Sequence, residues 1–144
     1  MRRVNDALAA VEEMGSDSCP KRPKPFDLVF VDADKTRLIE YVDVLVSTDR
    51  ILKKGGLIVV DNVLWKGLVL DASKSGSDYE SDDEYSSDSE ESDSKEREKL
   101  RKNRRARKLA TKMHKFNSAI LQDDRVEVLL MPLRDGLSLI RKKN

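Results

Sequence analysis

The fold of this chain is decided by residues 26–35, which read FDLVFVDADK. The stretch is a short apolar run that ends in acidic side chains, a pattern typical of a buried parallel strand whose carboxyl end opens into a site. Residues 56–62, GLIVVDN, repeat the pattern. Ligands of open α/β sheets bind outside the carboxyl ends of the strands. We therefore expect the two segments to end beside the same crevice.

Side chains with oxygen donors follow both predicted strands. Asp32, Asp34, Asp61 and Asn62 would lie together if the strands are neighbours. Carboxylate and amide oxygens are the ligands of hard divalent cations such as Mg²⁺ and Ca²⁺, so we expect a cation site here. The alternative is that the carboxylates cap the following helices, as aspartates commonly do at N-termini. Both readings stay open for Asp34, whereas Asp32, Asp61 and Asn62 together favour a functional site.

Hydrophobic periodicity predicts the other elements of the fold. A tight Arg134-Asp135-Gly136 connection suits a β-hairpin near the end of the chain, with glycine at the position that needs a positive φ. The predicted fold is an α/β sheet whose parallel strands end in an antiparallel hairpin. The expected order is a helix at 4–14, a strand at 26–31, a crossover helix at 36–52, a strand at 57–61, a loop at 62–69, a helix at 95–122, and strands at 126–133 and 137–141.

Charge is strongly segregated along the chain, although the formal net charge is only +1. Residues 78–93 hold nine acidic side chains and no basic one, whereas residues 95–115 hold eleven basic side chains against two glutamates. Residues 73–98 offer little to bury and are predicted to be a disordered acidic and serine-rich insertion. The chain then reads as one domain in three parts, which are residues 1–72, the insertion at 73–98, and a basic helix with the hairpin at 99–144.

The two charged runs have several readings. The simplest is that they pair with each other and stay solvated. Residues 99–108, KLRKNRRARK, could instead act as a nuclear-import signal or bind nucleic acid. No aromatic side chains interleave this run, which disfavours a single-stranded nucleic-acid surface. A non-catalytic interaction protein that works through the charged insertion is therefore a second hypothesis.

The cysteine count and the hydropathy of the chain indicate where in the cell the protein is expected to be. The single cysteine, Cys19, cannot form an intramolecular disulfide, which is typical of a reducing environment. The chain has no apolar run long enough for a signal peptide or a membrane span. We expect a cytoplasmic protein without membrane contact, and residues 99–108 keep a nuclear location open.

Three blocks of the sequence resemble a known family. Residues 26–35, residues 53–67 (KKGGLIVVDNVLWKG) and residues 115–143 (KFNSAILQDDRVEVLLMPLRDGLSLIRKK) are similar to the cation-dependent, S-adenosylmethionine-using O-methyltransferases of the catechol and caffeoyl-coenzyme A type. The blocks occur in the family's order. The resemblance implies a class I methyltransferase (Rossmann-like) fold, S-adenosylmethionine as cofactor, and a small hydroxylated aromatic acceptor.

The resemblance also assigns roles to residues. It implies that Asp32, Asp61 and Asn62 bind a divalent cation (Mg²⁺, Ca²⁺ or Mn²⁺), that Asp34 contacts the cofactor, and that Lys35 is the general base. A cation chelated by two adjacent hydroxyls would lower the pKa of a phenol, which is about 10 when unperturbed. Lysine could then accept the proton as the oxygen attacks the methyl group.

The chain departs from the family pattern upstream of Phe26. The family binds its cofactor through a glycine-containing loop after its first strand, and no such loop is present among the six glycines. We therefore expect the C-terminal part of the fold with its first strands missing, which would be incomplete and inactive by itself. The unpaired edge of the strand at 26–31 would allow two copies to form a homodimer.

A rival family shares the DADKT motif. The haloacid-dehalogenase-like phosphotransferases also place D-x-D-x-T after an apolar strand, and Asp32 would then be the nucleophile and Asp34 the acid. That family requires a later lysine and an acidic pair after another strand. The stretch VVDNVLWKG is a poor match to those features.

Overall fold

A computed structural model describes residues 6–19, 24–74 and 94–143. A four-stranded mixed sheet forms the centre of the structure, and one of its faces packs against the helices. The elements in chain order are α1 (Ala7–Gly15), β1 (Phe26–Val31), α2 (Leu38–Ser47), β2 (Leu52–Asp61), a 3₁₀ turn (Trp65–Gly67), α3 (Leu68–Lys74), α4 (Ser94–Leu121), β3 (Val126–Met131) and β4 (Leu137–Lys142).

The sheet combines parallel and antiparallel pairing in the order β1-β2-β4-β3. β1 and β2 are parallel, with Val31 opposite Val60, and β4 is antiparallel to β2 and to β3. Gly136 in the turn between β3 and β4 has a φ of 84°. The predicted α/β sheet with a final antiparallel hairpin is therefore confirmed. β1 lies at one edge of this sheet, where the sequence predicts an unpaired strand.

β2 begins five residues earlier than the expected strand at 57–61. Leu52 pairs with Phe26 and Leu57 with Leu28, so four residues of β2 face one residue of β1 between these pairs. The extra residues form an irregularity at which Gly55 has a φ of 71°. Gly55 and Gly56 accommodate this irregularity inside the strand, so the strand begins where the end of the crossover helix was expected.

α2 is shorter than the crossover helix expected at 36–52. The backbone of Thr48 is extended, and its hydroxyl accepts a hydrogen bond from the Arg50 N–H at 3.2 Å. This local turn competes with the helix and ends it at Ser47. The helix buries one apolar face, which is formed by Leu38, Tyr41, Val42, Leu45 and Val46.

α3 replaces the end of the loop expected at 62–69. Val69 is buried, and α3 packs on α4, so a long-range contact stabilises a helix that the local sequence does not indicate. α4 follows the prediction closely, and Met113, Phe116 and Ile120 of its apolar stripe are buried. α3 and α4 extend into the two ends of the predicted insertion at 73–98, and its residues 75–93 lie outside the described residues.

A buried lysine connects the last strand to the turn after α2. Lys142 is 6% exposed, and its Nζ donates to the Thr48 carbonyl at 2.7 Å and lies 2.7 Å from the Asp49 carboxylate. The hydrogen bond from Lys142 lowers the pKa of Asp49. This contact joins residues about 94 positions apart, so it fixes β4 against the connection that leads into β2.

The two faces of the sheet differ in coverage. Val31, Ile58, Val60 and Ile140 belong to the core formed with the helices. The opposite face carries apolar side chains that remain exposed among the described residues, including Phe30 at 57% and Leu129 at 59%. None of the described helices has the length and apolar character needed to cross a bilayer.

Substitution of Gly136 by alanine should destabilise the fold strongly. A Cβ at this position would lie 2.5 Å from Leu64 Cγ and 2.9 Å from the Leu64 backbone nitrogen, in addition to the cost of a φ of 84°. We expect the free energy of unfolding to fall by about 2 kcal/mol or more, as measured by urea denaturation.

Gly67→Ala is the matched control, because Gly67 also has a positive φ, of 78°, but a Cβ there would meet no atom within 4 Å. It should cost about 1 kcal/mol, from the backbone strain alone. Equal losses in the two variants would contradict the role assigned to the contact between Gly136 and Leu64.

Candidate active site

The carboxyl ends of β1 and β2 form the candidate site. Asp32 follows the last residue of β1, Asp61 is the last residue of β2, and Asn62 comes next. Because Val31 is paired with Val60 in a parallel ladder, the two strand ends lie side by side. The structure therefore brings Asp32, Asp61 and Asn62 to one edge of the sheet, while their role as cation ligands stays a prediction.

Lys35 connects the two strand ends directly. Its Nζ lies 2.9 Å from Asp32 Oδ1 and 3.1 Å from the backbone carbonyl oxygen of Asp61. The lysine side chain is 12% exposed, whereas the Asp32 side chain is 59% exposed. The ammonium group thus lies at the inner side of the crevice, and the carboxylate that it contacts faces solvent.

The backbone after β2 adopts a left-handed conformation. Asn62 has a φ of 63°, and its N–H donates to Asp61 Oδ1 at 2.7 Å. Trp65 and Lys66 follow with φ values of 45° and 56°. Positive φ is uncommon for residues other than glycine, and such strain persists where the surrounding structure enforces it.

Two other elements hold this loop in place. The Val63 and Leu64 N–H groups donate to the carbonyls of Gly136 and Asp135 in the β3–β4 turn, at 3.2 and 2.8 Å. The Val63 carbonyl accepts a hydrogen bond from the buried Asn117 Nδ2 of α4 at 2.8 Å. Sequence reasoning missed these anchors, because a lone asparagine within a helix gives no local signal for a partner 54 positions away.

Asp34 acts locally in this structure. Its Oδ1 accepts hydrogen bonds from the Thr36 N–H and the Thr36 hydroxyl, both at 2.9 Å. These hydrogen bonds, from the backbone first, lower the pKa of Asp34 below its usual value. The carboxylate therefore stabilises the turn that leads into α2, whereas the N-cap of α2 is Arg37 and no side chain caps the helix. Contact of Asp34 with a cofactor stays a prediction.

The donor set at the strand ends suits a hard divalent cation. Two carboxylates and one amide supply oxygen ligands, and a Mg²⁺ ion typically takes one or two protein carboxylates and completes its shell with water or substrate. Within the described residues, no cluster of three or more histidine, cysteine, aspartate or glutamate side chains could hold a metal. The assignment of Asp32, Asp61 and Asn62 as cation ligands therefore stays a prediction.

Neighbouring parallel strands that end at one edge of the sheet define this chain as an α/β domain, and ligands of such folds bind at that edge. Comparison with known sequences then identifies the class more narrowly. The O-methyltransferase family matches residues 2–143, nearly the entire chain, and the chain belongs to this family.

The relatives share this match over only part of their own length. The O-methyltransferase ankF of Aspergillus thermomutatus is 30% identical over 120 residues, which are 83% of this chain and 42% of that protein. A caffeoyl-CoA O-methyltransferase of Petroselinum crispum is 31% identical over 140 residues, which are 97% of this chain and 46% of that protein. The chain spans less than half the length of these curated relatives.

A solved structure agrees with the fold. The SAH-bound methyltransferase PaMTH1 of Podospora anserina matches with a TM-score of 0.66 and 24% identity, over 97% of this chain and 47% of that chain. At this identity the match supports the fold alone. The predicted Rossmann-like methyltransferase architecture is therefore confirmed for the described residues.

Removal of the Asn117 side chain should destabilise the site loop. Asn117→Ala would leave the Val63 carbonyl without its buried donor, and we expect the free energy of unfolding to fall by about 1–3 kcal/mol. Urea denaturation would measure the loss, and hydrogen exchange should show faster opening of the loop after β2.

Ser138→Ala provides the control, because Ser138 is 1% exposed and its Oγ has no hydrogen-bond partner among the described residues. Removing an unsatisfied buried hydroxyl should be neutral or stabilising. If Ser138→Ala costs as much as Asn117→Ala, the loss reflects packing rather than the hydrogen bond to Val63.

Proposed function

We propose that a protein carrying this chain transfers a methyl group from S-adenosylmethionine to a hydroxyl of a catechol-like or phenylpropanoid acceptor, with a divalent cation at the site. Membership of the O-methyltransferase family supports the reaction class. Relatives named as caffeoyl-CoA O-methyltransferases support the acceptor class. Family membership also supports S-adenosylmethionine as the methyl donor; SAH, which the Podospora anserina methyltransferase binds, is what remains after that donor gives up its methyl group.

The observation that carries this proposal is the position of Lys35 between two strand ends. Its Nζ contacts the Asp32 carboxylate and the Asp61 carbonyl within 3.1 Å. The proposed base therefore lies beside the carboxylate of Asp32, one proposed cation ligand, and beside the backbone of Asp61, the residue that carries another. This is the arrangement that deprotonation of a chelated phenol requires.

The residues have distinct roles in the proposed reaction. Asp32, Asp61 and Asn62 would hold the cation, which when bound would make a chelated phenol more acidic. Lys35 would accept the phenolic proton at Nζ in its neutral amine form, after releasing the ammonium proton to solvent, with which its 12% exposed side chain is still in contact. Asp34 would position the turn at the mouth of the site through Thr36, beside its proposed contact with the cofactor.

Family membership also favours this reaction over a dehalogenase-like phosphotransfer. In the DADKT motif, Asp34 Oδ1 is bonded to Thr36 and Lys35 is bonded to Asp32. The motif is therefore arranged as a helix-entry turn joined to a strand-end ion pair.

Cation binding by the 144-residue chain tests the proposed ligand set without a turnover assay. Mn²⁺ titration followed by electron paramagnetic resonance should detect a site that Asp32→Asn or Asp61→Asn weakens by about tenfold or more, since even outer-shell changes have effects of that size. Asp27→Asn is the control, because Asp27 lies at the opposite end of β1 and forms a similar ion pair with Lys53 at 2.6 Å.

If Mn²⁺ binding weakens equally in the Asp32, Asp61 and Asp27 variants, the ion is attracted nonspecifically to carboxylates. That result would refute the assignment of Asp32 and Asp61 as ligands. A chain that binds no Mn²⁺ while folding normally would have the same result. Binding lost in the Asp32 and Asp61 variants alone would support it.

The Lys35→Arg variant tests whether Lys35 acts as a general base or only provides a positive charge beside Asp32. Arginine keeps the charge and can donate to Asp32, but it remains protonated under all ordinary conditions. Methyl transfer from labelled S-adenosylmethionine to a vicinal diol should fall by about a hundredfold or more, while unfolding and Mn²⁺ binding stay near those of the parent chain. Full activity in the variant would exclude Lys35 as the base.

Binding of S-adenosylmethionine to the 144-residue chain is measured first, by isothermal titration in the presence of Mg²⁺. No detectable binding would refute catalysis by this chain alone. The Lys35 comparison would then require a longer protein that contains the same residues.

A further inference from the structure

The first half of α4 presents a stripe of positive charge. Arg101, Arg105, Lys108 and Lys112 recur at intervals of four, three and four residues, which places them on one side of the helix. All four side chains are exposed. Met113 and Ile120 of the apolar stripe that enters the core lie roughly a quarter turn away around the helix. We call the four cations the basic stripe.

Positive charge exceeds negative charge along the basic stripe in the part of the chain that the structure describes, where Glu98 is the one acidic residue lining the same surface as Arg101, Arg105 and Lys108. Arg101, Arg105 and Lys108 have no carboxylate within ion-pair distance there, and the nearest described pair on this surface joins Lys102 to Glu98 at 2.7 Å. Like charges four residues apart destabilise a helix. α4 would therefore gain stability from an anionic partner along this side.

One such partner belongs to the same chain. Residues 78–93 hold nine carboxylates and no basic side chain, and they are followed directly by Ser94, the first residue of α4. A segment of that length reaches about 50 Å when extended. Lys112 lies about 27 Å from Ser94 along the helix. The acidic run is thus long enough to turn back and follow the whole basic stripe.

We propose that residues 78–93 dock on the basic stripe of α4 within the same chain. The tether at Ser94 keeps the local concentration of carboxylates high, so the entropic cost of this association is low. A further effect follows from electrostatics: the docked segment neutralises the surface that would otherwise attract nucleic acid or other polyanions. The interaction does not depend on methyl transfer.

Zero-length carbodiimide cross-linking of the full 144-residue chain tests the docking. Amide bonds should form between residues 78–93 and Lys108 or Lys112, and peptide mass spectrometry would locate them. Their yield should fall to background in 1 M NaCl, where the Debye length is about 3 Å. Cross-links spread equally to Lys53 and Lys54, which are exposed elsewhere on the domain, would overturn the proposal.

The variant Arg101→Gln/Arg105→Gln weakens the stripe without removing a cross-linking amine. Cross-links to Lys108 and Lys112 should decrease severalfold, whereas Lys53→Gln/Lys54→Gln should leave them unchanged. Circular dichroism would verify that α4 remains helical in both variants. An unchanged yield in the arginine variant would contradict electrostatic docking on the stripe.

Two further outcomes are decisive. In a mixture of isotopically labelled and unlabelled chains, cross-links between chains would identify a second copy as the occupant and overturn the intrachain contact.

Neutralising the acidic run with asparagine and glutamine should raise the salt concentration needed to elute the chain from immobilised heparin. Unchanged elution would refute the shielding of the stripe.

Discussion

The parallel pairing of β1 with β2 is the constraint on which the candidate site depends. Only with Val31 opposite Val60 do Asp32 and Asp61 emerge beside each other within reach of one lysine. Ile58 and Val60 are both fully inaccessible, and their burial in the core fixes this register. A slip by one residue would turn these side chains to the opposite face of the sheet and expose them. The geometry of the polar site is therefore set by apolar packing.

Much of this arrangement could be predicted from the sequence, because its signals are local. The apolar runs ended by Asp32 and Asp61 predicted the strand ends, and Gly136 predicted the hairpin. What could not be predicted depends on contacts distant in sequence. The hydrogen bond from Asn117 to Val63 and the burial of Lys142 against the turn after α2 have no signature in their own neighbourhoods. The early start of β2 was missed for a related reason, since the glycines that usually end a helix here accommodate an irregular strand.

The uneven covering of the sheet limits the stability that the described residues can supply. One face joins the helical core, while Phe26, Leu28, Phe30 and Leu129 on the other are between 43% and 59% exposed. Burying a large apolar side chain fully contributes about 1.5–3 kcal/mol, so this face forgoes a substantial part of that gain. Exposed apolar surface of this kind is unusual for a monomer. The predicted homodimer and the edge position of β1 are consistent with it, and the oligomeric state stays a prediction.

The charged insertion and the candidate site depend on the same pair of helices. α3 begins directly after the left-handed loop that follows β2, and α4 holds that loop through Asn117. Packing of α3 on α4 must therefore overcome the entropy of closing the chain between Lys74 and Ser94. Repulsion along the basic stripe would add to that cost, whereas docking of the acidic run would offset it. Charge placed far from the strand ends thereby influences how firmly the site loop is held, because both act through the packing of α4.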